Sequence, residues 1–190
     1  MELIAVTNRA LCHQDFLQQL YKLANAQVAA IILREKDLSA EAYLQLAYQC
    51  QQVLQPTAVP LILNGHIAAA RQLGIDAVQL SYQDFAAQRQ QLQNFSRVLV
   101  SVHSVQEGQQ AAQWGAHALI AGHIFPTDCK KGVAPRGLSF LEQVCNAVTV
   151  PVYAIGGITA DTLPLVQQSK AAGVCIMSQA MQENFFWFPY

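Results

Sequence analysis

VLVSVHSVQEGQQAAQWGAHALIAGHIF, residues 98–125, reads as one strand–helix–strand unit. Val98–Val102 and Ala118–Phe125 are near-continuous apolar runs, as expected of parallel strands covered on both faces. Between them Ser104 offers an N-cap oxygen, Val105–Trp114 has helical length, and Gly115 supplies the residue that ends a helix in the left-handed region.

The unit repeats in both directions. Six further apolar runs, Leu3–Asn8, Ala29–Arg34, Pro60–Asn64, Ala77–Ser81, Pro151–Ile155 and Val174–Ser178, bring the number of strands to eight. Helix-length segments separate them. Ser39–Val53 opens on a capping serine and sets Ala42, Leu46 and Val53 near one face, and Asp161–Gln168 carries Pro164 in its first turn, where proline is tolerated. Eight strands alternating with helices predict an α/β fold, a compact (β/α)8 TIM barrel forming a single domain over 1–190. Such barrels usually need about 200 residues or more, so loops must be short. The exception is the stretch 126–137, with Gly132, Pro135 and Gly137; a loop longer than its neighbours is more often functional than accidental. The rival architecture is an open doubly wound sheet. After the eighth run only Gln179–Tyr190 remain, a truncated last helix and the aromatic run Phe185–Tyr190. That run either closes the gap left in the core or forms the contact of a homo-oligomer, because clustered aromatics are enriched at interfaces.

Composition narrows the function classes. Of 190 residues 53% are hydrophobic and 12% charged, with a formal net charge of −1. No Lys/Arg cluster leaves the footprint of a nucleic-acid partner or of an anionic membrane surface. The N-terminus reads as a strand and not as a targeting segment. Five scattered cysteines without a CxxC pair point to a reducing cytoplasm, with neither a disulfide framework nor a zinc site.

In a (β/α)8 barrel the chemistry sits at the C-terminal ends of the strands. There the runs deliver Arg34-Glu35-Lys36, Asn64-Gly65-His66, His103-Ser104, Gly122-His123, Gly156-Gly157-Ile158 and Ser178, with Thr127-Asp128-Cys129-Lys130-Lys131 in the long loop. Paired glycines after strand 7 let a backbone approach an anion, and the loops after strands 7 and 8 are the usual phosphate cradle. The competing reading of Gly156-Gly157 is a plain strand-to-helix turn. Imidazole titrates nearest working pH of all side chains, so His123 is a candidate for proton transfer, with a core histidine as the bland alternative and His103 as second candidate. Cys129 is read as an inert loop thiol. Glu35, Asp84 and Asp128 have no spacing that suggests a joint metal site.

The run AGHIFPTDCKKGVAPRGLSFL, with LREKDLS, LILNG, SVHS and VYAIGGIT, resembles the thiamine phosphate synthase superfamily, and within it the TenI branch of thiazole tautomerases, from the first strand through Ser178. Synthases of that superfamily carry Gln at the position of Ile32, Asp at Gly65 and an acid near Gln83, the acids holding Mg2+. Here all three are replaced, whereas Lys36 and Lys130 are kept. The resemblance therefore implies a metal- and cofactor-independent isomerisation of a small phosphorylated thiazole carboxylate. His123 would transfer the proton, Gly156, Gly157 and Ser178 would hold the phosphate, and Arg34, Lys36 and Lys130 would meet the carboxylate. Asn64 and His103 would complete the binding site. Gln179 departs from the glycine usual after that serine. Alternatives implied by the same resemblance are thiamine phosphate synthase itself and a non-enzymatic TenI-type regulatory protein.

Overall fold

A computed structural model describes residues 1–185. Eight parallel strands follow one another in chain order around a closed barrel: β1 (Glu2–Val6), β2 (Ala30–Leu33), β3 (Leu61–Asn64), β4 (Ala77–Ser81), β5 (Arg97–Val102), β6 (Ala118–Gly122), β7 (Val152–Ile155) and β8 (Gly173–Ile176). Seven α-helices alternate with them among the described residues: α1 (Phe16–Asn25), α2 (Ala40–Leu54), α3 (Ile67–Leu73), α4 (Tyr82–Gln88), α5 (Val105–Gln113), α6 (Gly137–Ala147) and α7 (Leu163–Gln167). After β8 the chain makes one 3-10 turn, Gln179–Met181. The aromatic run 186–190 lies outside the described residues. None of the described helices is long and apolar enough to cross a membrane.

The local causes are those the sequence offers. Side chains of Asp15, Ser39, Ser81 and Ser104 accept hydrogen bonds from the first turns of α1, α2, α4 and α5. Gly74 ends α3 at φ +67°, where a side chain would be strained. Every residue of β2, β6 and β8 is buried, which is why these runs are apolar without alternation.

The chain divides into two compact units. One comprises Glu2–Gln79, Asn94–Ser96 and the chain from Ile176; the other comprises Met1, Leu80–Gln93 and Arg97–Cys175. In the first, β1–β2–β3–β4 pair in parallel with Ile4 beside Ala30, Ile32 beside Ile62 and Asn64 beside Gln79. In the second, Val102 pairs with Ala121, Gly122 with Ile155 and Ile155 with Cys175. Both interiors are close-packed aliphatic layers: Ile31, Leu33, Ile62 and Leu63 in one, Val100, Leu119, Ala154 and Val174 in the other, all with at most 1% exposure.

Candidate active site

The second unit holds the most developed arrangement. Gly122 ends β6 where no side chain fits: a Cβ there would stand 2.4 Å from Ile155 Cγ2. The next residue, His123, is only 5% exposed, and the peptide joining them is cis. Beyond the strand the chain stays alongside the exit of β7, with Ile124 N–H donating to Ile155 O (2.9 Å) and Phe125 N–H to Gly156 O (3.0 Å). This close passage explains the glycine pair. A Cβ on Gly156 would lie 2.3 Å from His123 Cβ, and one on Gly157 2.4 Å from Pro126 O, at φ values of +96° and +65°. The sequence leaves the two glycines as a phosphate cradle or a plain strand-to-helix turn; the structure adds a steric reason that needs no ligand. The N–H groups of Gly157 and Ile158 find no acceptor among the described residues and remain available to one.

Two contacts fix the backbone and ring of His123. Its carbonyl accepts from Arg136 N–H (2.9 Å), and its Nε2 lies 3.3 Å from Val133 O. A carbonyl only accepts, so Nε2 carries the proton and the lone pair of the neutral ring sits on Nδ1. Among the described residues Nδ1 has no partner, and the one enclosed side-chain polar atom without a hydrogen bond is Arg9 Nε, so Nδ1 stays open to a neighbouring molecule. The preceding carbonyl, that of Gly122, accepts both from His103 Nδ1 (2.6 Å) and from Arg136 Nε (3.2 Å). His103 and Arg136 thus share the oxygen of the peptide that precedes His123. Lys130 ends a 3-10 turn capped by Thr127, with its side chain exposed, and Cys129 beside it is exposed too. Lys131 Nζ faces Asp128 at 3.6 Å in full solvent, a pair of little energetic weight.

In the first unit the strand ends are joined by a buried carboxylate. Glu35, 3% exposed, accepts from Thr7 Oγ1 (2.6 Å) and from Arg9 N–H through both oxygens (3.2 and 3.0 Å), with Arg9 Nε at 3.4 Å. Thr7 Oγ1 accepts in turn from Arg34 N–H at 3.0 Å. Glu35 therefore ties the ends of β1 and β2 together and has little capacity left for a ligand. Arg34 is half-buried with Nη1 3.9 Å from Met177 Sδ, whereas Lys36 is exposed. The Asn64 amide donates to the side chain of buried Gln79, and Gly65 N–H to Gln79 O (2.9 Å), so Asn64 is largely committed to β4. Tyr43, fully buried, donates from its hydroxyl to Leu33 O (2.7 Å) and accepts from Asn64 N–H (3.2 Å). His66 stacks on its ring at 3.6 Å, and burial pushes the His66 imidazole below its ordinary pKa. Ser178 is exposed just before the last 3-10 turn, its carbonyl accepting from Met181 N–H.

Of the residues singled out from sequence, the structure brings His123, His103, Gly156 and Gly157 together within the second unit, with Lys130 on the loop that leaves β6; Arg34, Lys36, Asn64 and Ser178 belong to the first unit. Sequence reading missed Thr7, Arg9, Gln79 and Arg136. The only signal for Arg136 was its place between Pro135 and Gly137 in the one long loop. Two open clefts, one lined by Val105, Gln106, Gln143, Asn146 and Ala147 and one between Gln51 and Ala77, contain none of these residues. The cysteines are all free, and burial pushes the Cys50 thiol up to about 12.

Comparison with known proteins gives a consistent picture. The family model described as thiamine monophosphate synthase (TMP-TENI) matches residues 3–180. Thiamine-phosphate synthase of Desulfitobacterium hafniense is 32% identical over 186 residues, covering 96% of this chain and 90% of the relative. That of Lysinibacillus sphaericus is 38% identical over 174 residues, covering 87% and 81%. Among solved structures, thiamine phosphate pyrophosphorylase from Pyrococcus furiosus superposes with a TM-score of 0.82 at 23% identity, covering 97% and 89%. A 3-hexulose-6-phosphate synthase gives 0.68 at 18% identity, covering 94% and 91%. At these identities both structures speak to the barrel alone.

Proposed function

Because the chain belongs to the TMP-TENI family of thiamine monophosphate synthases, a family of thiamine biosynthesis, we propose that it is a cytoplasmic thiazole tautomerase. Its substrate is the dearomatised thiazole phosphate carboxylate and its product the aromatic isomer. The observation that carries the reading is the His123 imidazole, anchored at the exit of β6 with Nε2 on Val133 O and Nδ1 open. Nδ1 takes the proton from ring carbon C2. The electron pair of that C–H bond enters the ring, the exocyclic double bond moves into it, and the imidazolium returns the proton to the exocyclic carbon. One C–H bond breaks and one forms, so no co-reactant is needed. Aromatisation supplies the driving force, and a positioned acid/base group contributes about 100-fold or more. The phosphate lies against the N–H groups of Gly156, Gly157 and Ile158. Lys130, on the loop that leaves β6, supplies positive charge for the anionic substrate, and His103 lines the ligand.

The names of the relatives favour a second reading, thiamine phosphate synthase, a transferase that releases pyrophosphate. The superfamily resemblance implies Mg2+ for that transfer, and the donor set here does not fit it. Gly65 has no side chain, Gln83 is a neutral exposed amide, and among the described residues no group of three or more His, Cys, Asp or Glu side chains is placed to hold a metal. The two readings separate when the purified chain is offered both substrate sets. The tautomerase converts the dearomatised thiazole in the presence of EDTA and releases no pyrophosphate from the pyrimidine diphosphate with Mg2+; pyrophosphate release coupled to thiamine phosphate formation would establish the transferase.

A further inference from the structure

We propose that Arg136 binds the carboxylate of the substrate, an assignment that rests on the isomerase reading above. One residue holds both carbonyls that flank the His123 Cα: its backbone N–H donates to His123 O at 2.9 Å and its Nε–H to Gly122 O at 3.2 Å. The guanidinium is steadied from a second side, with Cζ 5.5 Å from the centre of the Phe140 ring. With Nε committed, the two Nη groups have no hydrogen bond or ion pair among the described residues, and the side chain is exposed. The group held on the carbonyl that precedes His123 is thus an oriented fork of N–H donors with a permanent positive charge and nothing to neutralise it among the described residues.

That combination selects a planar anion. A guanidinium edge offers two parallel N–H bonds matched to the two oxygens of a carboxylate, and its charge is kept at any working pH. Lys130 offers one point charge on an exposed stem whose ammonium makes no hydrogen bond or ion pair among the described residues. Ordering that stem on binding costs entropy, whereas the Arg136 fork is already held by Nε and Phe140. The phosphate has the backbone N–H groups of Gly157 and Ile158, so the carboxylate is the anion left for Arg136. In this arrangement Arg136 sets specificity: it rewards a thiazole that still bears its carboxylate.

Isothermal titration with two probes tests this, the aromatic thiazole phosphate carboxylate and the same thiazole phosphate without the carboxylate. The wild-type chain should prefer the carboxylated ligand by about tenfold or more, as a charge-assisted hydrogen-bond pair warrants. Arg136→Gln should bring the preference below about threefold by weakening the carboxylated ligand alone, and Arg136→Lys should fall between. A merely structural arginine would weaken both ligands together, so an unchanged preference in Arg136→Gln overturns the assignment. If Arg136→Gln does not fold, Arg136→Lys decides by the same ratio. A wild-type chain that binds both probes without preference overturns the role of Arg136 alone. One that binds neither overturns the isomerase reading, and the assignment with it.

Discussion

A methyl group on Gly156 would stand 2.3 Å from the Cβ of His123, at a φ of +96° that side chains rarely adopt. Gly156→Ala should therefore cost about 2–4 kcal/mol of stability and displace the imidazole, lowering kcat more than its effect on folding explains. Urea unfolding and steady-state kinetics on the same preparation check both halves. From sequence the glycine pair was legible as something a phosphate would need. Its contact with His123 and Pro126 was not, because the partners lie some thirty positions away and only the register of β6 on β7 brings them there. The same holds for Glu35, one carboxylate among several in sequence, which proves to be a buried tie between Thr7 and Arg9. His66 gives a prediction with a definite sign. Burial lowers its folded-state pKa, so below the unfolded value, about 6.5, the unfolded chain takes up a proton that the folded chain resists. Stability from this group is complete above that pH and lost as pH falls toward the folded pKa. His66→Phe, which keeps the stack on Tyr43, should flatten the drop in Tm between pH 8 and pH 5.5; an unchanged slope would show that other groups carry it.

Elements were easier to read than contacts. Each apolar run became a strand, because a strand buried on both faces writes its own boundaries in Val, Ile and Leu. The differences lie at strand ends, where side chains leave the ladder for other duties. The run Ala118–Phe125 yields β6 only to Gly122, since Ile124 and Phe125 go on to bond the β7 exit instead. The first run gives up Thr7 to Glu35 and Asn8 to capping the turn Arg9–Leu11. Asp161–Gln168 shortens to Leu163–Gln167, since Thr159 and Thr162 bond each other across the intervening turn. Within α5, Gly108 faces Leu119 and Val144, and a Cβ there would meet them at 3.5 and 3.4 Å, ordinary contact distances. Gly108→Ala should stabilise the chain by about 0.5–1 kcal/mol. A rise in the denaturation midpoint without a change in slope checks it, and a fall would mean that α5 packs more tightly on α6 than the side chains allow.

For the whole molecule, the count of eight strand–helix units pointed to the barrel over the open sheet, and the strands close in chain order from β1 to β8. Sequence also reached the family, which the match over residues 3–180 establishes. The choice of reaction within the family is a matter of a few side chains. A transferase needs a metal to neutralise a leaving pyrophosphate; an isomerase that aromatises its product needs one well-placed proton carrier. Gly65, Gln83 and the anchored His123 favour the isomerase, and the names of the relatives favour the transferase. The most direct measurement is the rate of thiazole isomerisation in EDTA for the wild-type chain and for His123→Ala, each against buffer. The wild type should convert the thiazole well above the buffer rate, and kcat of the variant should fall by about 100-fold or more. A wild-type rate equal to buffer, or a His123→Ala rate equal to wild type, would contradict this mechanism.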